Sequence, residues 1–202
     1  MHLKELQVDS QFAEYINPPR VLAHLLKEDG AIPNNRQLPL LVYQNALKLP
    51  QEGAPSIIER LVESHHWGGT WRNGIYDFHH YHSTAHEVLA VFAGMATVQF
   101  GGNKGITQTL RRGDMVIIPA GVAHKNLGAS KDFAVVGAYP EGQEPDMNYG
   151  KASERARADK NIANVPLPKA DPVYGEEGPL MENWAEWGPK IQDPNPGHAD
   201  VD

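Results

Sequence analysis

The clearest pattern of apolar and polar positions lies in PSIIERLVESHHW, residues 55–67. Starting from Ile57, apolar residues stand at i, i+1, i+4 and i+5, and the charged residues between them fall on the opposite side. Pro55 suits the first turn of a helix because its missing N–H would be unsatisfied there anyway. The pattern predicts an amphipathic helix that GGTWRNG (68–74) ends.

From residue 75 the pattern changes to short apolar stretches separated by glycines, at spacings of about 8–12 residues. The predicted strands are IYDFHHYH, HEVLAVFAG, MATVQFGG, GITQTLRRGD, MVIIPAG, HKNLG and DFAVVGAYP. An earlier apolar run, LPLLVY (38–43), predicts one more strand. Short strands at this spacing favour an antiparallel sandwich or barrel. GGNKG (101–105) lies between two of them and is predicted to be a hairpin turn.

The two ends of the chain have a different texture. Residues 1–30 mix helical and strand-like spacing, and they predict a helix followed by an extended arm. Residues 166–180 are polar and rich in proline, so they predict an extended arm, anchored by Trp184 and Trp187, with a frayed end. We therefore expect one domain in three parts: an N-terminal arm and helix (1–70), a barrel core (71–145) and a C-terminal arm (146–202).

Composition excludes several classes of function. The 202 residues include 18 Lys and Arg against 25 Asp and Glu, a net charge of −7, which disfavours nucleic-acid binding. No cysteine is present, so a metal would have to be held by histidine and carboxylate ligands. No apolar run approaches the roughly 20 residues of a membrane span, and the N-terminus lacks an apolar leader. We expect a cytoplasmic protein that does not bind membranes.

The stretch FHHYHSTAHEV, residues 78–88, holds four of the ten histidines of the chain. Alternate residues of a strand share a face, so His80 and His82 should point the same way and His79 the other way. A second strand is expected to begin at His86–Glu87, and Glu87 can then return to the face that carries His80 and His82.

A further histidine, His124, follows the turn PAG (119–121), which would fix the direction of its side chain. Three imidazoles and one carboxylate form a site that suits Fe(II), Mn(II), Ni(II), Co(II) or Zn(II). The alternative is a hydrogen-bonded polar cluster without a metal. A one-residue shift of the turn would exchange the faces of the strand, which makes His86 the alternate ligand.

Two stretches resemble the sequence motifs of the cupin superfamily. GIYDFHHYHSTAHEVLAVFAG is similar to the first motif, G-x5-H-x-H-x4-E-x6-G, and GDMVIIPAGVAHKN to the second, G-x5-P-x-G-x2-H-x3-N. The matching positions are Gly74, His80, His82, Glu87 and Gly94, then Gly113, Pro119, Gly121 and His124. The last Asn departs from the motif: Asn126 follows His124 by two residues instead of four, and Gly128 stands at the motif position.

The wider chain, roughly residues 28–184, is similar to the uncharacterised bacterial YjlB-like single-domain cupins. The similar segments include LPLLVY, IPAGVAHKNLGAS, VVGAYPEGQ and VPLPKADPVYG. The resemblance implies an all-β fold, a double-stranded β-helix or jelly-roll barrel, with an N-terminal helical elaboration. It implies no substrate. Because single-domain cupins commonly pair through barrel edges, we also expect a homodimer.

The same alternation predicts which residues line a ligand pocket. Tyr76, Phe78 and Asn126 share the face of the metal ligands, and Arg72 and Tyr139 are candidates for polar contacts. We expect a metal-dependent enzyme acting on a small organic or sugar-like molecule, with dioxygenase, isomerase and lyase chemistry all open and Glu87 serving as ligand or as base. The alternatives are a metabolite-binding or sensing module without turnover and a metal-stabilised barrel with no small-molecule site.

Overall fold

The computed structural model describes residues 9–185, which form nine strands, three α-helices and a short 3-10 helix at Ala13–Tyr15. The strands are β1 (Arg20–His24), β2 (Leu40–Gln44), β3 (Trp67–Asn73), β4 (Glu87–Ala93), β5 (Met95–Phe100), β6 (Ile106–Arg111), β7 (Met115–Ile118), β8 (His124–Ala129) and β9 (Ala134–Pro140). The helices are α1 (Ala54–Ser64), α2 (Arg155–Ile162) and α3 (Pro179–Ala185). No helix of the described part is both long enough and apolar enough to span a membrane.

The strands pair antiparallel in two sheets. One sheet has six strands in the order β1-β2-β7-β4-β9-β3, and the other has three in the order β6-β5-β8. A single apolar cluster contains residues from both sheets, among them Leu89 of β4, Val98 of β5 and Val116 of β7. The sheets therefore face each other as the walls of a barrel, and the predicted all-β class is confirmed.

Strand β4 carries alternate residues to two different cores. Leu89 and Val91 belong to the cluster between the sheets, whereas Val88 and Ala90 belong to the cluster on the outer face of the larger sheet. Glu87 has the same parity as Leu89. Its side chain therefore enters the barrel, although it is a carboxylate at the start of an otherwise apolar strand.

The outer face of the larger sheet is covered by α1 and by the C-terminal segment. Ile58 of α1 and Trp184 of α3 are fully or almost fully buried there, next to Tyr43 of β2. The buried carboxylate of Asp171 accepts hydrogen bonds from the Tyr43 hydroxyl (2.7 Å) and from the backbone N–H of Leu180 (3.0 Å). These contacts fasten the C-terminal segment to the barrel.

Two predictions for the region before the site were wrong. Residues 75–86 form no regular strand and make only the isolated bridges His80–His124 and Tyr81–Asn148. GGTWRNG is not a helix-ending loop, because most of it belongs to β3 and pairs with β9 across an irregularity between Gly68 and Trp71. The hairpin turn predicted at 101–105 is confirmed, since it joins the paired strands β5 and β6.

The ends of the chain also differ from expectation. Residues 9–24 supply a 3-10 helix and then β1 in place of the expected helix and extended arm, whereas β2 matches the strand predicted at 38–43, and both strands extend the larger sheet. The helix predicted at 55–67 is present as α1 and packs on the barrel. Helix α2 was not predicted, and α3 begins at Pro179, inside the stretch expected to be irregular. Trp187 and the C-terminal end lie outside the described residues. The division into parts at residues 70 and 145 stays a prediction.

Candidate metal centre

Four side chains from three parts of the barrel converge on one cavity of about 300 Å³. Glu87 opens β4, His124 opens β8, and His80 and His82 come from the irregular segment between β3 and β4. All four residues are buried, with at most 8% of the surface of any of them exposed. Buried polar side chains of this kind need partners, so the distances among them decide what the cluster can do.

The Glu87 carboxylate lies at the centre of the cluster. Its Oε2 atom is 3.4 Å from Nε2 of His124 and 3.6 Å from Nε2 of His82. Glu87 Oε2 is buried and has no hydrogen-bond partner among the described residues. A buried carboxylate oxygen without a donor is costly, which indicates that a cation or a proton belongs between these atoms.

His82 has one fixed hydrogen bond. Its Nδ1 lies 2.5 Å from the backbone carbonyl oxygen of Asp146, and a carbonyl only accepts, so Nδ1 carries a proton. In the neutral ring Nε2 then presents a lone pair toward Glu87. Burial would lower the pKa of His82, but the Glu87 carboxylate together with Asp146 outweighs burial and raises it. A proton on Nε2 and a metal ion therefore compete for the same place.

The other two imidazoles are neutral. Burial lowers the pKa of His80, and it lowers the pKa of His124 to about 3. Burial alone would raise the pKa of Glu87, yet the neighbouring imidazoles, His82 foremost, lower it to about 2. The cluster thus offers an ionised carboxylate beside the neutral rings of His80 and His124, which are the forms in which these groups bind metals.

As they stand, the described residues include no group of three or more His, Asp or Glu side chains with the geometry to hold a metal ion. The two Glu87–histidine distances nonetheless suit ligands of one ion, because atoms bonded at about 2.0–2.2 Å in a tetrahedral site lie roughly 3.3–3.6 Å apart. His80 is the exception: its ring packs on that of His124 (centroids 4.1 Å apart) and forms no ion pair with Glu87. The donor set fits a divalent transition metal, and His80 would have to turn to complete it.

Around the cluster the cavity wall is mostly aromatic or apolar. Its further lining residues include Trp71, Tyr76, Leu89, Tyr139 and Met147. The Tyr139 hydroxyl accepts a hydrogen bond from Nε1 of Trp71 (3.0 Å). Burial, then the nearby Glu87 carboxylate, raises the pKa of Tyr139, so the hydroxyl keeps its proton. Tyr139 is therefore a neutral group that can donate a hydrogen bond inside the cavity.

Of the other three predicted pocket residues, one lines the cavity and two do not. Arg72 lines the cavity, but its guanidinium makes a bidentate pair with Glu59 (2.6 Å for each bond), and so its charge is already matched. Phe78 and Asn126 do not line the cavity. Phe78 is exposed and stacks on Tyr76, with centroids 4.9 Å apart. The Asn126 side chain instead accepts a hydrogen bond from the backbone N–H of Gly128 (2.8 Å).

His86 lies apart from the cavity. It is almost fully buried, its Nδ1 accepts a hydrogen bond from the backbone N–H of Ala120 (2.9 Å), and its ring packs on Trp184. Burial lowers its pKa to about 3, so the ring is neutral. His79 faces away from the cluster, with Nε2 3.2 Å from Oδ1 of Asn103.

Three residues near the site were missed by sequence reasoning. Trp71 and Met147 line the cavity, and Asp146 supplies the carbonyl that His82 contacts. Trp71 could have been found had its segment been interpreted as a strand. No periodicity or motif marks Asp146 or Met147, which lie in an irregular segment.

Two larger cavities are present in the described part of the chain. One, of about 520 Å³, is lined by residues that include Glu63, His66, Glu141 and Tyr139; the other, of about 460 Å³, lies between residues 33–38 and α2. Neither is lined by Glu87, His80, His82 or His124. Size alone therefore does not identify the site, whereas the side chains that line the 300 Å³ cavity do.

Comparisons with known proteins place this geometry in a family. The cupin family model matches residues 72–145, a range that includes all four clustered side chains. Among solved structures, the dTDP-6-deoxy-D-glucose-3,5-epimerase RmlC of Legionella pneumophila has a TM-score of 0.37 at 13% identity, covering 81% of this chain and 90% of the epimerase. The procruciferin 11S globulin of Brassica napus has a TM-score of 0.33 at 16% identity, and the match covers 56% of this chain but only 23% of the globulin. Likenesses this low carry no argument about function.

A curated relative is much more similar in sequence than these solved structures are. The uncharacterized protein YjlB of Bacillus subtilis (strain 168) is 45% identical over 163 residues, which cover 81% of this chain and 96% of YjlB. That identity extends well beyond the region matched by the cupin model, and it agrees with the resemblance found in the sequence. The chain therefore belongs to the YjlB-like cupins.

Proposed function

We propose that this chain is a metal-dependent cupin enzyme acting on a small, oxygen-rich molecule. One divalent transition ion would be held by His82, His124 and Glu87, with His80 completing the set. The observation that carries the proposal is the buried Glu87 Oε2, which lacks a hydrogen-bond partner and lies between two Nε2 atoms at 3.4 and 3.6 Å.

Charge narrows the class of substrate. A divalent ion with one carboxylate ligand leaves a net charge of about +1 in a mostly apolar cavity, which favours a carboxylate, an enediol or a hydroxyketone bound through oxygen. The one arginine of the wall, Arg72, is paired with Glu59, so the wall adds no unpaired positive charge to that of the metal ion. The cavity volume of about 300 Å³ is at the lower end for ligand pockets and supports a small molecule.

The side chains of the wall supply positioning and a proton. When bound, the metal supplies Lewis-acid stabilisation of a developing oxyanion. Tyr139 keeps its proton and is held by Trp71, so its hydroxyl can donate to a substrate oxygen. A neutral phenol beside a carboxylate supports proton-transfer chemistry, isomerisation or elimination, over dioxygenation.

Elemental analysis of the purified protein and three variants tests the metal. We expect His82→Ala and Glu87→Ala to lose the ion, and His79→Ala, a matched control on the same segment whose ring faces away, to keep it. Full retention of metal in both ligand variants contradicts the assignment. Oxygen uptake and turnover with hydroxyketones and diols, after reconstitution with Fe(II) or Ni(II), then distinguish the reactions.

A second function is a metabolite-binding module without turnover. It is favoured by the scarcity of acid–base groups in the cavity wall, where Tyr76 and Tyr139 are the titratable side chains beyond the proposed ligands and the paired Arg72. Measurable binding of a hydroxyketone by the metal-loaded protein, with no product from any candidate, would support this alternative.

We also propose that the chain forms a homodimer. Strands β1 and β3 are the edges of the larger sheet, and an edge strand presents unpaired backbone groups to another chain. Light scattering that reports a monomer contradicts this proposal.

A further inference from the structure

The segment that carries His80 and His82 is irregular, so its position depends on what it contacts. Residues 146–148 run antiparallel beside it: Tyr81 and Asn148 exchange two backbone hydrogen bonds of 3.0 Å each. This neighbouring segment begins just past residue 145, where the match to the cupin model ends. The support for His82 therefore comes from the part of the chain that follows the matched region.

Asp146 contacts the His82 segment through both its side chain and its backbone. Its carboxylate accepts hydrogen bonds from the backbone N–H and the hydroxyl of Ser83 (2.5 Å each) and from the backbone N–H of Thr84 (3.3 Å). Its own N–H donates to Oγ1 of Thr84 (2.9 Å). Its carbonyl oxygen accepts from Nδ1 of His82 (2.5 Å). One residue thus fixes the backbone after His82 and the proton on the His82 ring.

Ser83 is also held by a contact with helix α2. Ser83 is fully buried, and its Oγ accepts a hydrogen bond from Nδ2 of Asn161 in α2 (3.0 Å). A loss of the Asp146 carboxylate would leave the N–H and hydroxyl of Ser83 without their acceptor, and the loop would have to shift to satisfy them. A shift of the loop moves the Asp146 carbonyl away from the His82 ring.

The three imidazoles of the cluster differ in how their Nδ1 atoms are held. The His82 contact is short, the contact from His80 to the carbonyl of Phe78 is long at 3.4 Å, and Nδ1 of His124 has no partner among the described residues. Hydrogen bonds to the distal ring nitrogen fix the tautomer and orientation of a metal-binding histidine. His82 is therefore the ring whose Nε2 is best prepared to bind.

We propose that Asp146 is a positioning residue that holds His82 in the Nδ1–H tautomer and makes it the anchoring ligand of the centre. This inference rests on the proposed metal-binding function, but its first part concerns the metal-free protein alone. The carboxylate acts through the loop, by holding Ser83 and Thr84, and the carbonyl acts directly on the ring.

Nuclear magnetic resonance of the imidazole nitrogens in metal-free protein tests the first part, at a pH well above the ordinary histidine pKa of about 6.5. His82→Ala assigns the signals. We expect the Nδ1–H form in the wild type and a shift toward the Nε2–H form in Asp146→Ala. Asp146→Asn, which keeps one acceptor, should restore most of the wild-type signal. Glu144→Ala, a change two residues away in the same loop, should leave it unchanged.

Titration with cobalt(II) alone tests the second part. We expect Asp146→Ala to weaken binding about 10- to 100-fold, the range seen when outer partners of metal-binding histidines are removed. Glu144→Ala should bind as the wild type does. An unchanged His82 tautomer in folded Asp146→Ala overturns the inference, whatever the affinity. If Asp146→Ala does not fold, the double variant Ser83→Ala, Thr84→Val takes its place under the same criterion.

The two proposals fail in different ways. If the wild type binds no cobalt but Asp146→Ala still changes the His82 tautomer, the metal function is wrong and the positioning role stands. If the wild type binds cobalt and the His82 tautomer is the same in the wild type and in Asp146→Ala, the positioning role is wrong and the metal function stands.

Discussion

His80 and His124 face each other across an isolated antiparallel bridge in which each backbone N–H donates to the other residue's carbonyl, at 3.4 and 3.0 Å. Their rings lie 4.1 Å apart. Because the backbone sets this register, the irregular segment before β4 is tied to β8 at the cluster itself. The proposed metal centre would require a turn of the His80 ring within this fixed backbone register.

Metal binding should stabilise the wild type more than a variant that lacks the carboxylate charge. At free metal of about 100 times Kd, a bound ion adds about 2.7 kcal/mol, or roughly 5–10 °C in Tm for a chain of this size. We expect Glu87→Gln to lose most of that shift, because Oε2 has no other partner. Thermal unfolding with and without Zn(II) measures it, with His79→Ala as the control. Equal shifts in wild type and Glu87→Gln would exclude Glu87 as a ligand.

Substitution of His86 should reduce stability and leave metal content unchanged. His86→Leu removes the acceptor for the N–H of Ala120 in the turn before His124, and an unsatisfied buried donor costs about 1–3 kcal/mol. His86→Gln offers a carbonyl oxygen in place of Nδ1 and should recover part of the loss. Denaturant unfolding and elemental analysis of the folded protein check both points. Loss of metal from folded His86→Leu would restore His86 as the alternate ligand.

Gly137 on β9 should tolerate no side chain, because Trp71 lies directly over it. A Cβ atom at Gly137 would fall 2.2 Å from the Trp71 ring, so Gly137→Ala should displace that ring and its hydrogen bond to Tyr139. We expect a loss of about 1–3 kcal/mol and a change in Trp fluorescence. Gly128→Ala on β8 is the matched control, since its added Cβ would meet nothing within 4 Å. Similar effects of the two substitutions would contradict the contact.

The contribution of Asp29 to stability should depend on pH. Its carboxylate accepts hydrogen bonds from the backbone N–H groups of Ala31, Ile32 and Asn103. Burial alone would raise the pKa of Asp29, but these bonds to the backbone outweigh it and hold the pKa below its ordinary value. The folded state thus favours the ionised form, and its stabilisation is complete above the unfolded pKa of about 4 and is lost as pH falls below it.

The measurement is the difference in Tm between wild type and Asp29→Asn across pH. We expect the variant to be less stable at neutral pH and the difference to narrow below pH of about 4. Asp77→Asn, at an exposed site without a side-chain hydrogen bond in the described structure, is the matched control. A constant difference at all pH values would mean that ionisation of Asp29 does not contribute.

The sequence by itself determined the parts of this protein that depend on near neighbours in the chain. The spacing after Ile57 predicts α1, because a helix repeats every 3.6 residues. Alternation along β4 predicts that Glu87 shares the face of Leu89, and the structure has both residues on the barrel interior. The fixed spacings of the two motifs identified His80, His82, Glu87 and His124 as the members of the cluster.

Only the tertiary structure decided how the cluster is supported. The segment 75–86 has a strand-like sequence, but its backbone hydrogen bonds go to scattered partners, Gly121, His124, Asn126 and Asn148, so it makes isolated bridges in place of a ladder. The roles of Asp146 and Tyr139 depend on contacts with residues far away in the chain, and no pattern among their sequence neighbours indicates these contacts. The separation of His86 from the cavity likewise depends on the turn at Ala120, which lies 34 residues further along. Local spacing therefore names the candidate ligands, whereas long-range hydrogen bonds set their tautomers, their neighbours and the wall of the cavity.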